Sequence, residues 1–149
     1  VQETFISSTF WTERIGPTAA LKTLEVMEKE NSWNTITKIG KYICNQWQNL
    51  AAKYELSIDT WGLPALSGFT FNSAKALHYK TFITQEMLKK GYLASNTIYA
   101  CIEHNQTLVD AYINELDPIF GIIKQCENGM TIENLLESPI CHTGFKRLN

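Results

Sequence analysis

The residue types able to do chemistry are few and scattered. Four cysteines (Cys44, Cys101, Cys126, Cys141) and three histidines (His78, His104, His142) are present. No two cysteines stand at a CxxC or similar metal-ligand spacing. Only Cys141 and His142 are adjacent, and neighbours on an extended segment point to opposite faces, so the pair is a poor chelate. The cysteines read as ordinary thiols of a reducing cytoplasm. The competing reading is a small thiol enzyme whose Cys141 and His142 form a nucleophilic pair in space. Glu25, Glu28 and Glu30 cluster at a helix end and read as a solvated face. Among the tryptophans, Trp47 falls on an apolar helical stripe and reads as core, whereas Trp11 lies in a polar arm outside any stripe. The hydroxyl run Ser7-Ser8-Thr9 stands before a helix start. Hydroxyls, free N–H groups and the helix dipole there favour an anion such as a phosphate; the plainer reading is an ordinary strand end.

The elements that must position these groups follow from periodicity. Residues 1–11 are β-branched and aromatic with hydroxyls between, and read as a strand or extended arm. Gly16-Pro17 then opens a helix to about Glu30, with Leu21, Leu24 and Met27 at helical spacing and Glu25 and Lys29 as an i, i+4 pair. Thr12 to Ile15 can add a preceding turn. Asn31-Ser32 breaks the pattern and can cap the next helix. That helix, about 33–55, repeats Ile36, Ile39, Ile43, Trp47, Leu50 and Tyr54 every three or four residues. Gly40 could let another element pack closely against it.

Residues 56–73 change period and fit short strands, with Gly62-Leu63-Pro64 as the turn between them. A further helix fits about Lys75 to Lys90, with Glu86 and Lys90 paired and Gly91 at the C′ position. A strand is expected at Thr97 to Ile102. His104 or Asn105 can cap a last long helix, about 106–127, which Pro118 is expected to kink or split. Thr131 caps a short turn through Leu136. The order is arm, helix, helix, strands, helix, strand, helix. This predicts an α/β chain of the α+β sandwich kind, with three or four strands and helices along one face. GxGxxG, P-loop, HExxH and GxSxG motifs are all absent.

Composition excludes several classes. The 149 residues are 44% hydrophobic and 19% charged, with a net charge of -2, which is ordinary globular usage. Without a basic excess, neither nucleic acid nor an anionic membrane surface is an expected partner. The longest apolar run, near Ile119 to Ile123, is far short of the roughly 20 residues that span a bilayer.

Three stretches carry a family resemblance. SSTFWTERIGPTAALKTLEVME (Ser7 to Glu28) resembles the start of the C-terminal domain of class-III PLP-dependent aminotransferases. YKTFITQEMLKKGYLAS (Tyr79 to Ser95) resembles the helix and "G-x-L-A" turn that lead to a substrate-facing strand. SPICHTGFKRLN (Ser138 to Asn149) resembles a closing "CH-x-GF-x-RL" segment. The matches lie in order, and they are most similar to the glutamate-1-semialdehyde 2,1-aminomutase branch. Where that branch has a small-residue "SGNP" turn, this chain has Trp11-Thr12-Glu13-Arg14, which implies a different substrate.

The resemblance implies a small C-terminal domain of a fold-type-I PLP-dependent transferase. Residues 1–16 would be an interface arm and 17–149 the α/β domain. Thr9 matches a threonine that donates to the cofactor phosphate across a dimer interface, and Ser8 lies in the same turn. The implied partners are the chain's own large PLP domain, a homodimer partner and a small amino substrate. Tyr99 or Cys101, on the expected strand, would face that substrate. None of the eleven lysines stands in the family's cofactor-lysine context. The lysine and the acidic partner of the ring nitrogen would come from an upstream large domain, so this stretch alone is expected not to turn over. The competing reading is a stand-alone, non-catalytic α/β binding or scaffold module.

Overall fold

A computed structural model describes residues 13–142 of the chain. The chain divides between Asn34 and Thr35 into two compact units. In the first unit, α1 runs from Ile15 to Lys29. Pro17 falls in its first turn, where a missing N–H leaves no bond unmade. Leu21, Leu24 and Met27 recur at the expected spacing but are all exposed. The expected Glu25–Lys29 pair does not form. Glu25 takes Lys22 instead, at 2.7 Å, because i, i+3 neighbours are as near as i, i+4 ones. Asn31 adopts a left-handed φ of 49° and ends the pattern. Ser32 does not cap: its hydroxyl is buried without a hydrogen-bond partner among the described residues.

α2 runs from Ser32 to Lys53, and its stripe is buried at Ile39, Ile43, Trp47 and Leu50. β1 (Ile58–Leu63) and β2 (Leu66–Phe71) form an antiparallel hairpin. Its turn is Pro64-Ala65, later than expected; Gly62 lies within β1 at φ 89°. The tip of this hairpin packs onto α2 at Gly40. A Cβ there would fall 1.8 Å from the Pro64 carbonyl oxygen, so only glycine permits this approach.

α3 spans Ala76–Lys89 and ends at Gly91, whose φ of 84° is the left-handed conformation expected of a C′ residue. Glu86 pairs with Lys89 rather than Lys90, and Lys90 reaches Glu115 on the last helix. β3 is only Thr97–Tyr99 and pairs antiparallel with β2. Main-chain bonds extend its ladder from Asn96, which bonds Phe69, to Ala100, which bonds Ala65. Cys101 then enters a turn with His104, which ends the strand before Ile102.

α4 spans Gln106–Glu127, and Asn105 caps it by accepting from the Leu108 N–H at 2.9 Å. Pro118 lies inside this helix without splitting it. The carbonyl that loses its donor is that of Asn114, an exposed residue where water can serve. A 3-10 turn, η1, covers Ile132–Leu135; Thr131 precedes it without a side-chain cap bond.

The sheet has the order β1-β2-β3 and is antiparallel throughout. Phe69 and Phe71 on β2 are buried, and helices cover this one face. Trp47 of α2 lies 4.9 Å from Phe69, Tyr79 of α3 lies 5.4 Å from Phe71, and Phe120 of α4 lies 5.8 Å from Phe69. The fold is therefore a two-layer α+β sandwich.

Candidate functional site

β3 is the element expected to face a substrate. Register places Tyr99 beside Leu66, which in turn faces Leu63, and places Gly68 between Trp61 and Thr97. These residues lie on the sheet face opposite the helices, because side chains alternate along a strand and Phe69 points to the core. Gly68 has no side chain, and the Trp61 indole fills that space: a Cβ there would sit 2.5 Å from the ring. The indole N–H donates to Thr70 Oγ1 at 3.1 Å. Tyr99 is 74% exposed. This face thus presents two aromatic rings and the Thr97 hydroxyl on a short ladder. Of the two residues expected to face a substrate, Tyr99 lies on the strand. Cys101 lies in the turn beyond it, its N–H donating to His104 Nδ1 at 3.0 Å.

A cleft of about 360 Å³ opens between β3, the loop after α3 and the first turns of α4. Its lining includes Tyr92, Ile98, His104, Leu108 and Tyr112. The Tyr112 hydroxyl accepts from the Trp47 indole N–H at 3.1 Å. Burial pushes the Tyr112 phenol up to about 12, so it stays protonated at neutral pH. His104 also borders a second, wider cleft with Lys38, Lys41, Tyr42 and Gln106. There the Tyr42 hydroxyl donates to Asp110 at 2.5 Å, and this bond holds the phenol above its usual range.

A third polar cluster joins α3 to α4. Glu127 accepts from the Tyr79 hydroxyl at 2.5 Å and the Ser73 hydroxyl at 2.7 Å. These two bonds lower the Glu127 carboxyl, while burial and the same carboxylate raise the Tyr79 phenol. Sequence reasoning missed all three clusters. Their partners stand 65, 68 and 48 residues apart, and no local spacing records such pairs.

Several expected site residues are not brought together. Ser8, Thr9 and Trp11 lie outside the described residues. Cys141 packs on α3, with its N–H on Thr81 Oγ1 at 3.0 Å and its sulfur 3.7 Å from the Leu77 carbonyl. His142 is exposed, and among the described residues no hydrogen bond joins it to the Cys141 sulfur. All four cysteines are unbridged. Among the described residues, no three His, Cys, Asp or Glu side chains group as metal ligands. No helix among them is long and apolar enough to cross a membrane. Two lysines are held as cations by carboxylate partners. Asp117 raises Lys53, and Glu137 and Glu86 raise Lys89. Lys22, Lys90 and Lys124 are ion-paired as well.

No protein-family model matches the chain. The acetylornithine aminotransferase of Methanocaldococcus jannaschii is 30% identical over 126 residues, which is 79% of this chain and 30% of that protein. Among solved structures, the PLP internal aldimine form of the FumI protein of Sphingopyxis sp. MTA144 aligns with a TM-score of 0.71 at 14% identity. The alignment covers 90% of this chain and 33% of that one. The chain spans about a third of the length of each of these proteins. It is similar in sequence to part of an aminotransferase, and its two-layer fold is that of the matching third of FumI.

Proposed function

We propose that this chain is the small C-terminal domain of a PLP-dependent enzyme that moves amino groups, a transaminase or an aminomutase. The observation that supports the reading most is agreement between independent likenesses. Sequence similarity to an aminotransferase and structural similarity to FumI both cover most of this chain and about a third of the longer protein. The departure at Trp11-Thr12-Glu13-Arg14 favours a substrate other than glutamate 1-semialdehyde.

In this reading bound PLP supplies the electron sink that stabilises a carbanion beside the migrating nitrogen. The chain's own residues bind and orient. Thr9, with Ser8 beside it, donates to the cofactor phosphate across a homodimer interface. Tyr99 and Thr97 form one wall of the substrate pocket, and the Trp61 indole extends that wall. The lysine that bonds the cofactor belongs to a large domain upstream.

The test uses the full-length protein. Thr9→Ala is expected to weaken cofactor retention, read as loss of the cofactor's visible absorbance on dialysis. Unchanged retention would refute the anchoring role. The gene upstream of Val1 tests the domain assignment: a frame of some hundreds of residues with a cofactor-lysine site supports it. A start codon at or just before Val1 would instead favour a stand-alone binding module.

A further inference from the structure

We infer that the cleft between β3 and α4 binds a small uncharged molecule with an apolar body and a carbonyl oxygen. Two hydrogen-bond donors and the walls around them carry it; the cleft shares Thr97 and Tyr99 with the substrate wall proposed above, but neither donor belongs to that reading.

The first donor is Tyr112. Its oxygen accepts from the Trp47 indole, which has no other use for its N–H in a fully buried position. The phenol proton must therefore point elsewhere, and no acceptor among the described residues bonds it. The second donor is His104. Its Nδ1 accepts the Cys101 backbone N–H, so Nδ1 carries no proton and Nε2 does. Among the described residues the Nε2–H also has no acceptor. Both side chains line the same cleft. The bond at Nδ1 fixes His104 Nε2 as a donor, and the Tyr112 hydroxyl, already accepting from Trp47, keeps its proton free to donate.

The walls set the rest of the ligand. Tyr92, Ile98, Leu108 and Val109 present apolar surface, and no Lys, Arg, Asp or Glu lines the cleft. A charged group entering it would lose hydration without a counter-charge, whereas a carbonyl needs only donors. At about 360 Å³ the cleft is at the small end of ligand pockets, which run from about 300 Å³ upward. An amide or ketone bearing one ring or a short branched chain fits these terms.

The experiment titrates the intact, isotope-labelled protein with 3-phenylpropanamide and follows backbone amide shifts by NMR. Saturable shifts are expected at Ile98 and Val109. Tyr112→Phe and His104→Ala are each expected to weaken binding about 5-fold, the loss of one hydrogen bond. 3-Phenylpropanoate, the same shape with a charge, is expected to bind at least about tenfold more weakly. His104→Ala lies in a partly exposed turn and carries the test if Tyr112→Phe compromises folding. The inference is overturned by the absence of saturable shifts up to about 20 mM, above the millimolar Kd usual for such fragments. Unchanged affinity in the variants, or equal binding of the carboxylate, overturns it as well.

Discussion

The Trp47 indole and the Tyr112 hydroxyl meet at 3.1 Å across 65 residues of sequence, joining α2 to α4. Trp47 is fully buried. Tyr112→Phe removes the acceptor and leaves a buried N–H unpaired, which costs about 1–3 kcal/mol. A double-mutant cycle with Trp47→Phe is expected to show a coupling of about 1 kcal/mol in urea denaturation. Independent, additive losses would mean that the bond does not hold the two helices.

Gly40 and Pro64 give a second expectation. A methyl group at position 40 meets a backbone carbonyl, which cannot rotate aside as a side chain would. Gly40→Ala is expected to destabilise by about 1–3 kcal/mol, despite the better helix propensity of alanine. A raised denaturation midpoint in this variant would contradict the close contact.

The Tyr79–Glu127 bond sets a pH dependence with two arms. The Glu127 carboxyl is lowered in the folded chain by Tyr79 and Ser73. Its contribution is therefore present above the ordinary value of 4.5 and is lost as pH falls through the folded value. The Tyr79 and Tyr112 phenols are raised from 10.0 by burial, so their contribution is whole below pH 10 and is lost as pH rises. Denaturation midpoints across pH should fall in both directions. Glu127→Gln should flatten the acid arm, and an acid arm identical to the wild type would remove Glu127 as its source.

Tyr99 separates binding from folding. It is exposed and packs on nothing in the core, so Tyr99→Ala should change stability by no more than about 0.5 kcal/mol. In the full-length protein the same substitution is expected to raise KM for the amino substrate several-fold, through lost contact on the pocket wall. Unchanged steady-state kinetics would take Tyr99 out of that wall.

Much of the fold was legible because periodicity reports which side of an element is apolar. Ile39, Ile43, Trp47 and Leu50 fell where the pattern put them. Leu21, Leu24 and Met27 show the limit of the same signal. Their spacing marks a stripe on α1 but says nothing about what the stripe meets, and all three are exposed. Ion pairs on helices were legible only as a set of reachable partners. Glu25 and Glu86 each had a lysine at i, i+4, yet each settled on one three residues away. β3 was read too long because Ala100 to Ile102 has strand-like residues. The turn closed by Cys101 and His104 is a tertiary choice that composition does not reveal. The Tyr112 and His104 donors were illegible for a related reason: their roles depend on Trp47 and on a backbone N–H that no motif links to them.

The sheet also implies an order of assembly. β1 and β2 are joined through a two-residue turn, so their pairing closes a short loop at small entropic cost. β3 reaches β2 only after α3 has been laid down between them, which makes its three-residue ladder the more remote and the shorter closure. Amide exchange should accordingly find β2, flanked on both sides, among the slowest protons, and Thr97 to Tyr99 opening well before it. The strand that borders the cleft is then the last part of the sheet to form and the first to let go, and occupancy of the cleft would be felt there as slower opening.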